Sequence, residues 1–232
     1  MEVRVETAEH AVPGGAVTLL GAVHGVTGAM TRVELEGARV LVDAGVAQGA
    51  DAHSWSLPDA AHRVSAVVLT HAHNDHVGSL PAILSRGFSG PIYGTPATLS
   101  IARLVLVDAM RLGDVPAGER VRVLSRFDAA VRPVPYDRPF DVHPNVTAFF
   151  REAGHILGSA SVELRSPRAR VIVSGDLGRP DSPLLRDYHE AWERGRPVDL
   201  VVMESTYGDG EHRSSHDDVS AMLERILRRA ID

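Results

Sequence analysis

The chain has 232 residues, 44% of them hydrophobic, so it can bury a substantial core, and we expect one large domain rather than two small ones. It contains no cysteine, which excludes disulfides, thiolate metal sites and cysteine nucleophiles, so any metal must be held by His, Asp or Glu. The formal net charge of -6 argues against a surface that binds nucleic acid over its whole extent, so any such contact must be local.

The sequence carries no sign of a membrane segment. The first residues, MEVRVETAEH, lack a basic region followed by an apolar one, as a signal peptide would have. No apolar run approaches the roughly 20 residues that a membrane-spanning helix needs. We therefore expect a cytoplasmic protein with no membrane partner.

The first half of the chain is predicted to be sheet followed by helices. Short β-branched runs separated by glycine-rich joints predict strands at Val3–Glu6, Ala16–Leu20, Thr31–Glu34, Arg39–Val42 and Ala66–Thr70. Helical periodicity follows over His76–Arg86 and Pro96–Arg111. The segment Gly113–Asp141 is rich in Pro, Arg and Asp, and we interpret it as a surface excursion.

The second half repeats the sheet-rich pattern. Strands are predicted at Val146–Glu152, Ser161–Leu164, Arg170–Ser174 and Asp199–Met203. Two sheet-rich halves with helices after the strands predict an α/β (α+β) protein. We expect two sheets packed on each other and covered outside by helices, as a four-layer αββα sandwich.

The last segment, Ser214–Asp232, has a clean helical period. Ser215 and Asp218 form a predicted capping box. One stripe collects the apolar side chains Val219, Met222, Leu223, Ile226, Leu227, Ala230 and Ile231. The stripe belongs either to a helix packed on its own core or to one that contacts a further domain, a second copy or a partner chain.

The sequence AVVLTHAHNDHVGSLPAIL places His71, His73, Asp75 and His76 between a buried strand and a helix. As the strand ends, residues at i and i+2 can turn toward one metal, whereas Asp75 and His76 leave on the helical turn and face a second position. Imidazole nitrogen and carboxylate oxygen suit Zn²⁺, and paired ions can share one hydroxide. Mn²⁺ is the alternative metal, because it accepts the same ligands.

This spacing resembles the signature motif of the metallo-β-lactamase superfamily, whose fold is the predicted sandwich. Further pieces of that pattern match at Asp43 in RVLVDAG, His155 in EAGHILGSAS and Asp176 in VIVSGDLG. The resemblance implies a first zinc held by His71, His73 and His155, and a second held by Asp75 and His76. It also implies that Asp176 bridges the two ions and that Asp43 orients a ligand histidine from behind.

The text EAGHILGSASVEL, SGDLGRPDSPLL and VVMESTYGD is similar to the β-CASP ribonuclease branch of that superfamily, with coverage from about Val17 to Ile231. By this resemblance, Glu204 corresponds to the acidic residue of the branch's next motif. The candidate catalytic carboxylates are therefore Asp75, Asp176 and Glu204. The segment Gly87–Thr98 also reads like this branch and is expected to shape the loop beside the metals.

The resemblance further implies that residues 1–213 form the metallo-β-lactamase domain, incomplete at its C-terminal end. Residues 214–232 would form the helix that leads into a cap domain not present here, and the branch's two later histidines have no counterpart. Three explanations stay open: a fragment of a longer protein, a short form completed by a partner chain or dimer, and a member that binds metal without turnover.

The function that the resemblance implies is hydrolysis of phosphodiester bonds in single-stranded RNA by a metal-dependent ribonuclease, through a hydroxide bound by two zinc ions. One alternative is a small-substrate hydrolase of the same superfamily, such as a thioesterase or lactonase. Another is a non-catalytic metal-containing subunit that pairs with a partner through its last helix. The sequence does not distinguish cleavage within an RNA from cleavage at its end.

Overall fold

The computed structural model describes residues 7–49, 52, 55–208, 210 and 216–231. The strands are β1 Ala8–Val12, β2 Gly15–Gly21, β3 Met30–Leu35, β4 Ala38–Val42, β5 Ala66–Val68, β6 Ile92–Gly94, β7 Val131–Pro133, β8 Phe140–His143, β9 Val146–Glu152, β10 Ala160–Arg165, β11 Arg170–Val173 and β12 Leu200–Val202. The α-helices are α1 Asn74–Val77, α2 Leu80–Ser85, α3 Pro96–Leu112, α4 Ala117–Ala130 and α5 His216–Ile231. The predicted strand Val3–Glu6 and the predicted cap Ser215 lie outside the described residues.

Strands β1 to β7 form one sheet in chain order. The first four strands pair antiparallel, and two-residue turns join β1 to β2 and β3 to β4. The β3–β4 turn has positive φ at both Glu36 and Gly37, as a type I′ hairpin requires. Strands β4 to β7 pair parallel, so each connection crosses over the sheet, two of them through helices. The parallel part therefore brings successive strand ends, and the loops that follow them, to one edge.

Strands β8 to β12 form the second sheet, in the order β12-β11-β10-β9-β8. All its neighbours are antiparallel except β11 and β12. Its inner face, which includes Phe150, Val162 and Val171, packs on apolar side chains of the first sheet such as Val33 and Val40. Helices α2, α3 and α4 cover the opposite face of the first sheet. The two-sheet α/β fold predicted from the sequence is thereby confirmed.

The interpretation of Gly113–Asp141 as a surface excursion is wrong. This segment contains α4 and β7, and β8 begins within it. Helix α4 buries Val123, Phe127 and Ala130, which recur at helical spacing among many charged residues, so its narrow apolar stripe is easily overlooked. Strand β6 was also not predicted, because three residues are too few to show a period of two.

Among the described residues, no helix packs on the outer face of the second sheet, which carries a cluster of charged side chains instead. The carboxylate of Glu163 is fully buried and accepts hydrogen bonds from Arg151 at 2.9 Å, from Arg165 at 2.8 Å and from Arg170 at 2.7 Å. Arg170 also donates to the main-chain oxygens of Glu193 and Arg196, which ties the loop before β12 to the sheet. The cluster satisfies a buried charge that would otherwise be costly.

Helix α5 differs from the other helices. The side chains described on it, including Met222, Leu223, Ile226 and Leu227 of the apolar stripe, are all exposed. The fourth layer of the predicted sandwich is therefore not formed by the described residues. No helix in the described ranges combines the length and the apolar composition needed to cross a lipid bilayer.

We predict that Glu163→Gln lowers the free energy of unfolding by about 3 kcal/mol at neutral pH, because it leaves three arginines around an uncharged group in a buried site. The three arginines hold the pKa of Glu163 below its usual 4.5 in spite of burial, so its contribution is present above that pH. It is lost as pH falls through the lower pKa of the folded state. Urea unfolding at several pH values measures both effects.

The matched control is Glu34→Gln, whose carboxylate pairs with Arg39 at 3.7 Å on the exposed surface. This change is expected to stay within about 0.5 kcal/mol of the parent chain. Equal stabilities for the two variants at neutral pH would show that the buried cluster is not a stabilising element.

Candidate metal centre

The predicted ligands come together at one edge of the sandwich. His71 and His73 follow β5, and Asp75 and His76 lie in the short helix α1. His155 follows β9 and Asp176 follows β11, so the second sheet supplies the other two ligands. The six residues that the sequence singled out as ligands therefore meet where strand ends of both sheets converge.

Four of these residues form a compact group. The ligand atoms of His71, His73, His155 and Asp176 all lie within 4.8 Å of one another. Nδ1 of His73 lies 3.0 Å from Nε2 of His71 and 3.2 Å from Nε2 of His155. Oδ2 of Asp176 lies 3.7 Å and 3.5 Å from the same two nitrogens. His71 is buried and His73 is exposed, so the group is open to solvent on one side.

A second, smaller group lies on the other side of Asp176. Nε2 of His76 lies 3.2 Å from Oδ1 of Asp176 and 4.0 Å from Oδ2 of Asp75. The two oxygens of Asp176 thus face different groups, Oδ2 the three-histidine group and Oδ1 the His76 side. This is the arrangement of a carboxylate placed between two ion positions.

Asp43 lies behind the ligands and is almost completely buried. Its Oδ2 accepts a hydrogen bond from Nδ1 of His76 at 2.8 Å and from the Thr70 hydroxyl at 2.7 Å. Its Oδ1 accepts from the main-chain N–H of Thr70 at 2.8 Å. Because Nδ1 of His76 donates to Asp43, the other ring nitrogen, Nε2, is the atom that faces Asp176 and that could bind a metal once it has lost its proton.

The loop that carries Asp43 is held against α1 by close main-chain contact. The N–H of Ala44 donates to the His76 oxygen at 2.7 Å, and Asp43 itself has a φ of 61°, a conformation that Asp tolerates better than most residues. A Cβ at Gly45 would lie 1.7 Å from the main-chain oxygen of Asp75. Glycine is therefore required at position 45, and the main-chain conformation at position 43 suits aspartate, which accounts for these two residues of the motif VDAG.

The histidines of the centre differ in their ionisation. Burial, together with charge on His76, lowers the pKa of His71 to about 2, and burial lowers that of His155. Burial opposes charge on His76 as well, but the carboxylates of Asp43 and Asp176 raise its pKa to about 10. His76 in turn holds the pKa of Asp176 at about 2 against the effect of burial. The metal-free centre is thus an ion pair beside neutral imidazoles.

The loop of His155 is fixed by side-chain hydroxyls. Oγ of Ser159 accepts hydrogen bonds from the N–H of His155 at 2.9 Å and from that of Ile156 at 3.2 Å. Thr95 and Thr98, at the start of α3, each donate to the main-chain oxygen of Gly158 at 2.7 Å. The segment Gly87–Thr98 therefore contacts the loop beside the ligands, at the place where the sequence suggested a role for it.

Glu204 lies at the end of β12 and contacts the turn of Asp176. Its Oε1 accepts a hydrogen bond from the N–H of Leu177 at 2.6 Å, and its own N–H donates to Oγ of Ser174 at 3.1 Å. Glu204 also lines a cavity of about 280 Å³ next to His76, together with Val23, Val26, Met203 and Thr206. It thus both supports the Asp176 turn and faces open space.

Sequence reasoning missed the hydroxyl residues around the ligands, above all Thr70 and Ser159. Thr70 was placed in a strand that ends instead at Val68. A usable signal was present, because a polar residue at the end of the buried run AVVLT needs partners for its hydroxyl.

The ligand atoms of the four-residue group lie close enough together to hold one zinc ion. Ligand distances of about 2.0–2.1 Å in a tetrahedral site place the ligand atoms about 3.3–3.4 Å apart. The separations of 3.0, 3.2, 3.5 and 3.7 Å in this group lie on both sides of that value, and all the ligand atoms lie within 4.8 Å of one another. The donors are imidazole nitrogens and a carboxylate oxygen, which is the set that zinc uses when no cysteine is present. The residues present therefore fit a divalent metal.

Comparisons with known proteins agree with the fold. Residues 25–230 match the family model of the metallo-beta-lactamase superfamily. Ribonuclease TTHA0252 of Thermus thermophilus is 36% identical over 215 residues, which are 91% of this chain and 48% of that protein. Transcription termination factor FttA of Cenarchaeum symbiosum is 35% identical over 185 residues, which are 75% of this chain and 28% of that protein.

Among solved structures, the metallo-beta-lactamase fold protein YhfI from Bacillus subtilis is similar at 18% identity and a TM-score of 0.45, over 74% of this chain and 65% of that one. The chain spans about half the length of the Thermus relative and 28% of the length of the Cenarchaeum relative. The matched family implies divalent metal binding. The chain belongs to the metallo-β-lactamase superfamily, and its resemblance to the β-CASP ribonuclease branch is confirmed.

Proposed function

We propose that this chain provides the metal centre of a hydrolase that cleaves phosphodiester bonds of single-stranded RNA with two zinc ions. The observation that carries the proposal is the position of Asp176, whose two oxygens face two separate groups of ligand atoms. Relatives named as a ribonuclease and as a transcription termination factor support RNA as the substrate. Manganese fits the same ligand types and is the alternative metal.

Each ligand has a proposed role. His71, His73 and His155 hold the first ion, Asp75 and His76 hold the second, and Asp176 bridges them. Bound divalent ions act as Lewis acids and lower the pKa of water toward about 7. The chain's own part is to aim neutral ring nitrogens and carboxylate oxygens at fixed points, with Asp43 orienting His76 from behind.

Glu204 is proposed to position Asp176 and to face the substrate. Its Oε1 accepts a hydrogen bond from the N–H of Leu177, which supports the turn that carries Asp176. Its Oε2 accepts a longer one from the N–H of Thr206 at 3.4 Å, and the residue lies on the wall of the cavity. Asp75 and Asp176 act through the ions that they hold. Of the three candidate carboxylates, Glu204 is therefore the one placed to contact a leaving group without a metal between them.

The net charge of -6 does not conflict with a polyanionic substrate. Bound dications are the largest local charges in such a centre and supply the positive field that the chain's surface lacks. An RNA that contacts the chain only at the edge where the ligands lie would bind locally, as the net charge predicts.

The domain boundary after residue 213 and a contact of α5 with a partner chain or a second copy stay predictions. The exposed apolar stripe of α5 supports such a contact. The small-substrate hydrolase and the non-catalytic subunit are the competing functions, and the cleavage experiment separates them.

The test is cleavage of an end-labelled single-stranded RNA by the chain, after treatment with a chelator and after reloading with Zn²⁺ or Mn²⁺. We expect cleavage only in the metal-loaded protein, and loss of at least about 100-fold of the rate in Asp176→Asn, because both ions lose a charged ligand. The control is Asp141→Asn, an aspartate in β8 that bonds Thr147 on the surface.

Turnover of thioester or lactone substrates without RNA cleavage would contradict the proposal and favour the small-substrate enzyme. Tight binding of two metal ions with no hydrolysis of any of these substrates would favour the non-catalytic subunit.

We further predict that Asp43→Asn weakens zinc binding by about 10- to 100-fold, because an amide is a poorer acceptor for Nδ1 of His76 and for the Thr70 hydroxyl. Asn tolerates the φ of 61° at this position, so the main chain is retained. Competition with a chromophoric chelator measures the affinity. Asp114→Asn is the matched control, since Asp114 also has positive φ, at 53°, but is exposed in a turn. Equal affinity in Asp43→Asn and the parent chain would refute the orienting role of Asp43.

A further inference from the structure

Thr70 is a fully buried residue between the strand β5 and the ligand His71. Each of its polar atoms has a hydrogen-bond partner. Its N–H donates to Oδ1 of Asp43 at 2.8 Å, and its carbonyl oxygen accepts from the N–H of Ala160 in the second sheet at 2.8 Å. Its main chain therefore joins the ends of the two sheets at the metal edge.

The hydroxyl of Thr70 lies between Asp43 and His71. It is 2.7 Å from Oδ2 of Asp43 and 3.1 Å from Nδ1 of His71. An ionised carboxylate can only accept, so the single hydroxyl hydrogen is donated to Asp43. The hydroxyl oxygen is then the acceptor for Nδ1–H of His71. This order leaves Nε2 of His71 without a hydrogen, and that atom lies 3.0 Å from Nδ1 of His73 in the ligand group.

The rest of the Thr70 side chain packs against the turn that carries Asp176. A Cβ at Gly175 would lie 2.6 Å from Cβ of Thr70 and 2.8 Å from its Oγ1, and Gly175 has a φ of 58°. A glycine is therefore required at this place, because a larger residue would displace the side chain of Thr70. The contacts with Asp43 and His71 give the hydroxyl of Thr70 its direction.

We propose that Thr70 is a positioning residue that sets the tautomer and the orientation of His71 through its hydroxyl. Asp43 then controls both halves of the centre, His76 by a direct hydrogen bond and His71 through Thr70. The inference rests on the proposed metal centre, but it concerns metal affinity and ring geometry and does not depend on RNA being the substrate.

The test compares Thr70→Val, which keeps the shape and removes the hydroxyl, with Thr70→Ser, which keeps the hydroxyl and removes a methyl. We expect Thr70→Val to weaken zinc binding by about 10- to 100-fold, since Nδ1–H of His71 loses its acceptor in a site closed to water. Thr70→Ser is expected to bind zinc close to the parent value. Thr18→Val is the control, because Thr18 is also buried and its hydroxyl also bonds a carboxylate, that of Glu9, in strand β2.

A second readout separates a positioning role from a general loss of structure. In nitrogen-15 spectra of the zinc-loaded parent chain, His71 is expected to be protonated at Nδ1 and to bind through Nε2. The Thr70→Val protein is expected to exchange this Nδ1 proton faster with water, while thermal unfolding of its metal-free form stays near that of Thr18→Val.

The inference is overturned if the parent chain binds zinc through Nδ1 of His71, if Thr70→Val keeps the parent affinity, or if Thr70→Ser loses as much affinity as Thr70→Val. These outcomes are independent of the proposed function. A parent chain that binds zinc but cleaves no RNA removes the RNA proposal and leaves the role of Thr70 intact.

Discussion

The centre depends on the junction of the two sheets at one edge, because neither sheet holds a complete set of ligands. The first sheet supplies Asp43 and the run from His71 to His76, and the second supplies His155 and Asp176. The hydrogen bond from Ala160 to the Thr70 oxygen joins the two sheets between these ligands. Any shift of one sheet along the other would separate His71 and His73 from His155 and Asp176, so the packing of the two sheets fixes the geometry of the candidate centre.

The electrostatics of the centre follow from burial combined with two carboxylates. Asp43 and Asp176 flank His76 and favour its charged form, whereas burial keeps His71 and His155 neutral. His71 and His155 therefore favour the neutral form that a metal requires, whereas His76 would have to release a proton to bind one.

The sequence predicted the two-sheet sandwich and singled out the residues that the structure brings together, because both depend on local patterns. The run from His71 to His76 sits at a strand-to-helix joint, and strands such as Val146–Glu152 show a clear period of two. Helix α4 and strand β6 escaped because one has a narrow apolar stripe and the other has only three residues. The network of Thr70 and Ser159 could not be predicted, because it forms between residues far apart in the chain and depends on how the two sheets meet.

The most direct test of the account is a crystal structure of the zinc-loaded chain with anomalous data collected on both sides of the zinc absorption edge. The account predicts two peaks about 3.5–4 Å apart with Asp176 between them, one bound by Nε2 of His71, Nδ1 of His73 and Nε2 of His155. Zinc bound elsewhere, with these side chains left uncoordinated, would contradict it.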